Sequence, residues 1–300
     1  MEDHGIIPSM QYGSREGRQC ISAVLNKQLT HDIIRHKKST AAFIENDAVG
    51  CYDRMVNNLL LLELRRLGLP ETVAMTLSHT WAEAVHHIKA QYGISETFYK
   101  NNIECRLFGP GQGSTLGPFL WLILFTLIVS SVLPSIPRIH LTSGDGTVSV
   151  HDLGEAFVDD SAVGCTSDLP PDPTESMEAH QCRLEQDAMN NLRILAQHWE
   201  RLLFATGGAL CLSKSFWYLI SWKWNKTGNA QLKTIASSPG ELLLTSGYDS
   251  QAVTVPRIEP TSAYRTLGVR ISPSGKNILA VKVLRDQSVE YAGRISSSTL

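Results

Sequence analysis

The sequence predicts an α+β fold in which short antiparallel strands pack on helices. Three observations carry that expectation. Strand-like runs occur at residues 40–47 and on both sides of Phe157-Val158-Asp159-Asp160, each next to turn residues. An apolar run over 118–133 has the length of a buried helix. A long helical pattern over 174–206 is closed by Gly207-Gly208, glycine being the common residue just past a helix end.

Taken in order, residues 11–38 open on a glycine turn (Gly13, Gly17) and continue as an amphipathic helix through Ile21, Val24, Leu25, Leu29 and Ile33. Residues 40–47 form a strand that ends on Asp47. A helix over 54–67 is stopped by Gly68 and Pro70. Residues 71–89 read as another helix and 91–107 as a hairpin. The glycine loop Gly109-Pro110-Gly111-Gln112-Gly113 leads into the apolar helix. No charge falls between Leu107 and Pro137, as in a membrane span, yet the apolar core is short and bracketed by Pro118 and Pro134, so a core helix is expected.

Residues 139–150 read as strand and turn, with Ser143-Gly144-Asp145-Gly146 at the tip. Pro170, Pro171 and Pro173 exclude helix from the following linker. Residues 209–224 resemble a hairpin broken at Ser213-Lys214, 225–260 are mixed, and 264–271 form a last strand before a polar tail. The expected sheet draws on the regions of Phe43, Phe157, Val163 and Leu210, with helices on one face.

Composition narrows the function classes. A 300-residue chain of ordinary apolar content can build one large or two ordinary domains. Six scattered cysteines without a C-x-x-C pair fit reduced thiols and no zinc site. The polar N-terminus carries no leading apolar segment, so an intracellular protein of nucleus or cytoplasm is expected, not a secreted one. The net charge of -2 is unevenly spread. Residues 201–240 contain Arg201, Lys214, Lys223, Lys226 and Lys233, with Phe216, Trp217, Tyr218, Trp222 and Trp224 interleaved and no acid. That stretch suits a phosphate-binding surface or, equally, a packed sheet with lysines reaching outward.

The Asp159-Asp160 pair lies at a tight turn with no basic neighbour. Two carboxylates held close repel and raise each other's pKa unless a cation is shared. The alternative is a solvated Asp-rich turn. Asp47, at a strand end far upstream, supplies a third carboxylate that an antiparallel sheet can bring beside the pair.

In this order the motifs resemble those of reverse transcriptases, in particular retroelement enzymes of the non-LTR and group II intron type. Gln11 to Arg18 is similar to the late fingers motif, Asp47-Ala48-Val49-Gly50-Cys51-Tyr52-Asp53 to motif A and Gly109 to Pro118 to motif B. Phe157-Val158-Asp159-Asp160 resembles motif C, Gly208 to Ser215 motif D, and Tyr264 to Val269 motif E. The resemblance implies a polymerase palm, an antiparallel sheet packed on helices. It divides the chain into partial fingers (1–40), palm (41–271, with helical fingers–palm elements at 54–135 and a variable insert at 225–260) and the start of a truncated thumb (272–300).

It further implies RNA-directed DNA synthesis, with Asp47, Asp159 and Asp160 as ligands of two Mg2+ ions, Mn2+ being a substitute, and Lys214 assisting the leaving pyrophosphate. Tyr52, Gln112, Gly113, Arg15 and Arg18 would contact the incoming nucleotide, Tyr52 as the steric gate against a 2′-hydroxyl. Leu267 and Gly268 would hold the primer end. The implied partners are a primer on an RNA or DNA template and dNTP, with no membrane and no specific protein partner. The alternative is a catalytically inactive nucleic-acid-binding fragment of a retroelement polyprotein. An RNA polymerase on the same palm is disfavoured by Tyr52.

Overall fold

A computed structural model of the chain describes residues 1–2, 4–102, 109–111 and 114–297. The first half runs α1 (Cys20–Lys37), β1 (Thr40–Asn46), α2 (Asn57–Arg66), α3 (Glu71–Ala82), β2 (Val85–Ala90), β3 (Gly93–Lys100) and α4 (Gly117–Ser130). Four strands follow: β4 (Ile139–Thr142), β5 (Ser149–Asp152), β6 (Gly154–Phe157) and β7 (Asp160–Ser167). The long α5 (Met177–Ala205) precedes β8 (Phe216–Ile220), β9 (Trp222–Trp224) and β10 (Ala230–Leu232). Last come β11 (Leu242–Thr245), β12 (Ala252–Val255), β13 (Tyr264–Thr266), β14 (Val269–Ile271) and α6 (Ile278–Ser297).

The central sheet is antiparallel, in the order β6-β7-β1-β8. Side chains alternate across a strand, and here both sides are buried. Ala42, Ile44, Val163, Cys165, Trp217 and Leu219 join the core formed with α2, α4 and α5. Ala41, Phe43, Tyr218 and Ile220 face the other way, against Val24 and Ile34 of α1 and Tyr264 and Ile271 of the β13–β14 hairpin. Helices therefore cover both faces, not one as expected. Gly164 makes this second layer fit, because a Cβ there would stand 2.4 Å from the Phe43 ring. The result is the expected α+β arrangement of an antiparallel sheet on helices.

The helices obey their sequence signals. Ser176 caps α5, its hydroxyl accepting from the Ala179 amide at 3.1 Å. Ala188, Leu192, Leu195, Trp199 and Leu203 then line one buried stripe. The apolar α4 is buried on nearly all sides, and among the described residues no helix is long and apolar enough to cross a membrane.

Four local expectations are corrected. Residues 85–90 leave the helix expected over 71–89 and pair with β3, where the His86 and Tyr99 rings stack at 5.1 Å. The fourth strand of the sheet is β8; Leu210 makes only an isolated bridge to Ala48. Residues 264–271 are a hairpin, whose turn residues Leu267 and Gly268 both have positive φ. The stretch expected as a polar tail contains the helix α6.

The fifth correction concerns α1. It buries Ala23, Val24, Lys27, His31 and Ile34 and leaves Ile21, Leu25, Leu29 and Ile33 exposed. Its inward face is chosen by polar partners. Lys27 reaches Glu45 at 2.7 Å and His31 reaches the Tyr218 hydroxyl at 3.0 Å, both inside the protein. Burial holds the His31 pKa down at about 3, so its imidazole is neutral.

Candidate active site

The strand pairing generates the site. Ladder partners include Asn46 with Ser161, Glu45 with Phe216 and Phe157 with Asp160. One residue beyond the β1–β7 ladder, Asp47 lies across from Asp160, and Lys214, in the turn before β8, reaches Asp47 from the other side. Phe157, Asp160 and Asp47 thus form a row on the sheet face turned towards α1, with Lys214 at its end. Lys214 Nζ donates to Asp47 Oδ2 at 2.6 Å. This ion pair raises the Lys214 pKa. A cavity of about 250 Å³ opens over the row, and Asp47, Phe157, Asp160, Lys214 and Leu267 line it.

Asp159 occupies the two-residue turn between β6 and β7. The turn's first residue, Val158, has φ 60°, a region that a β-branched side chain rarely enters. Gln11 holds it there: its Oε1 accepts from the Val158 amide at 3.0 Å and its Nε2 donates to the Val158 carbonyl at 3.1 Å. Trp121 Nε1 donates to the same carbonyl at 2.7 Å. Gly13 lies so close that a Cβ would stand 2.4 Å from the Val158 nitrogen. Gln11 and Gly13, read in sequence as part of a fingers motif, here brace the acidic hairpin.

Partial burial raises the pKa of Asp159, and the charge of Asp47 adds to the effect. Asp160 is likewise raised by desolvation, then by Asp159 and Asp47. The row therefore favours an added cation. Among the described residues no group of three or more His, Cys, Asp or Glu side chains is arranged to hold one metal ion. Magnesium requires less, since one or two carboxylates plus substrate phosphates and water suffice. The carboxylate oxygens of Asp47, Asp159 and Asp160 are, singly or in pairs, donors of the kind such an ion takes, and Lys214 places an ammonium at Asp47.

Beneath the row lies a buried polar layer that sequence reading did not single out. Glu45 accepts from Lys27 at 2.7 Å, from Tyr218 at 3.1 Å and from Tyr264 at 2.9 Å. Glu155, two residues before Phe157 and 4% exposed, accepts from Asn26 Nδ2 at 3.1 Å. Burial pushes its pKa up to about 8, with Lys27 acting in the opposite direction. Lys27, Glu45 and Glu155 all line the same cavity.

The remaining predicted residues are placed as follows. Tyr52 is half-buried against the start of α4, where a Cβ on Gly117 would meet its ring at 3.4 Å. Desolvation, with Cys51 and Asp159 nearby, raises its pKa to about 12. Leu267 lines the cavity in a left-handed conformation with φ 48°, and Gly268 follows with φ 83°. Arg15 is engaged elsewhere: Nε and Nη2 donate to Glu2 at 2.7 Å each and Nη1 to the Pro8 and Gln11 carbonyls. Arg18 sits over the Tyr12 ring at 5.4 Å. Neither arginine lines the cavity. Gln112 and Gly113 lie outside the described residues.

No protein-family model matches the chain, and no curated protein matches it. Among solved structures, telomerase from Candida albicans in complex with a TWJ fragment of telomeric RNA aligns with a TM-score of 0.42 and 13% identity, over 82% of this chain and 36% of that one. Apo telomerase from Candida tropicalis, truncated of its C-terminal domain, aligns with a TM-score of 0.40 and 12% identity, over 75% and 41%. This chain thus spans about two-fifths or less of those structures. A likeness at this level assigns no activity.

Two outcomes follow from the geometry. Gln11→Ala removes the side chain that brackets the strained turn, and is expected to lower unfolding free energy by about 1–3 kcal/mol. A denaturant melt indistinguishable from wild type would contradict the clamp. Glu155 has a folded pKa above its unfolded value of about 4.5, so ionising it opposes folding. Relative to Glu155→Gln, wild-type stability should fall as pH rises from about 4.5 to about 8 and level off above, by roughly 1–4 kcal/mol in all. Urea melts at pH 5 and pH 9 measure this, and a difference independent of pH would refute it.

Proposed function

We propose that this chain is the reverse-transcriptase domain of a retroelement of non-LTR or group II intron type, adding dNTP to a primer 3′-hydroxyl on an RNA or DNA template inside the cell. The observation that carries the reading is the convergence of Asp160, Asp47 and Lys214 on one open cavity at the sheet edge, with Asp159 on the adjoining turn. The sequence order of the six motifs supports the retroelement type.

In this reading Asp47 and the hairpin carboxylates hold Mg2+. When bound, such ions would activate the primer hydroxyl and neutralise the triphosphate. The protein's own part is positioning and proton management. Gln11 and Trp121 fix the turn that presents Asp159. Lys214 holds a proton beside Asp47 and is free, on leaving it, to neutralise or protonate the departing pyrophosphate. Tyr52 is packed on the start of α4, outside the cavity lining, and would act from there as the steric gate against a ribose 2′-hydroxyl. Leu267, held by its tight turn at the cavity edge, would support the primer end.

A second reading, a nucleic-acid-binding domain without turnover, has one observation in its favour: Lys214 already neutralises Asp47. Primer extension separates the two. With an RNA template, dNTP and Mg2+, the polymerase reading expects extension that EDTA abolishes and that Asp47→Ala or Asp159→Ala reduces roughly 10²–10³-fold. Tyr52→Val is expected to increase ribonucleotide incorporation. Extension equal in wild type and Asp159→Ala, or absent from both, would sink the polymerase reading for this chain.

A further inference from the structure

At the far end of α1 from the acid row lies an open pocket of about 640 Å³. Arg35, His36, Lys38, Trp222, Ser274 and Lys276 line it, and no carboxylate does. Segments remote in sequence build it: the C-terminal turn of α1, the β9–β10 pair, Thr261 and the turn after β14. Arg35 ties the first of these to the last. Its Nη1 donates to the Pro273 carbonyl at 2.7 Å, and its Nη2 pairs with Asp32. Gly275 permits the approach, since a Cβ there would stand 2.6 Å from the guanidinium and φ is 72°.

The other cations are similarly disposed. Lys38, at the C-cap of α1, places its ammonium 4.6 Å from the centre of the Trp222 ring and donates to the Arg35 carbonyl at 2.6 Å. Trp222 is anchored in turn, its Nε1 donating to the Ser39 carbonyl at 2.9 Å. Lys276 is exposed at the rim. Among the described residues neither lysine has a carboxylate partner within ion-pair distance. A lysine at a helix C-terminus is ordinarily explained by the helix dipole. That accounts for Lys38, but not for Lys276 arriving from another segment.

We propose that this pocket seats the phosphodiester backbone of a bound nucleic acid. Two lysines without a carboxylate partner, the Asp32-paired guanidinium of Arg35 and a serine hydroxyl, with no carboxylate in the lining itself, are the groups that backbone phosphates recruit. Its place along α1 suits that occupant. From Lys27, which lines the acid-row cavity, to Lys38 is about 16 Å of helix, or about five nucleotides of a strand that rises roughly 3.4 Å each. This registration rests on the polymerase reading; the phosphate chemistry of the pocket does not.

The test uses the full chain in EDTA, so that no turnover intervenes, and a fluorescent RNA–DNA hybrid of about 12 base pairs followed by anisotropy across salt concentrations. The double variant Lys38→Glu/Lys276→Glu is expected to bind roughly 10-fold or more weakly and to lower the salt slope by about 2. Lys38→Ala/Lys276→Ala, a milder change at exposed positions, should shift both in the same direction while keeping the wild-type melting temperature. Unchanged affinity and slope in both variants would overturn the proposal. So would a variant that keeps hybrid affinity but loses competition by inorganic phosphate, which would make the pocket a small-anion site. Should primer extension fail while the variants still lose hybrid affinity, the polymerase reading falls and the pocket stands.

Discussion

The register between β1 and β7 decides where Asp47 and Asp160 point. Asn46 and Ser161 are ladder partners, and the serine hydroxyl donates to the asparagine side chain at 2.6 Å inside the protein. That bond faces the α4–α5 core, so the next residue of each strand, Asp47 and Asp160, faces the cavity. A slip of one residue would turn the acids into the apolar core and bring Ile44 and Val163 out of it. The apolar side of the sheet thus enforces the position of its polar side. Lys214 joins from the turn before β8, where its amide donates to the Cys211 carbonyl at 3.0 Å and the Cys211 amide to the Asp47 carbonyl at 2.8 Å.

Electrostatics gives the row its direction of use. Asp159 and Asp160 resist ionisation because solvent is partly excluded and other carboxylates are near. Lys214 offsets part of that repulsion from an exposed position, where an ammonium is easily exchanged for another cation. The deeper Lys27–Glu45 pair is shielded and hydrogen-bonded to two tyrosines, so it belongs to the scaffold. Strain adds to the picture. Val158 in a left-handed conformation costs on the order of 1–3 kcal/mol, and the bonds from Gln11 and Trp121 offset it. Leu267 shows the same feature at the other side of the cavity.

The acids and Lys214 were legible in the sequence because each is marked locally, by a strand end, a hairpin turn or a glycine-bounded loop. The sheet was legible as far as β1, β6 and β7 for the same reason. Long-range partners left no local mark. Asn26 meets Glu155 across 129 residues and Gln11 meets Val158 across 147, so neither clamp nor buried layer could be read from spacing. The inward face of α1 was misread because periodicity sees only apolar residues, while Lys27 and His31 are drawn inside by Glu45 and Tyr218. Residues 85–90 continue a helical local pattern, but cross-strand pairing with β3 decides them. Gly164 gave no signal of its own, since the ring that needs its space comes from β1.

Under the proposed function, the carboxylate row at the β1–β7 edge would hold two metal ions. Electron paramagnetic resonance during Mn2+ titration, with primer–template and a non-hydrolysable dNTP present, tests it most directly. The account predicts two bound ions per chain whose spectra show mutual coupling at about 3.5–4 Å, and loss of that signal in Asp47→Asn. Mn2+ binding that is uncoupled, or identical in wild type and Asp47→Asn, would contradict it.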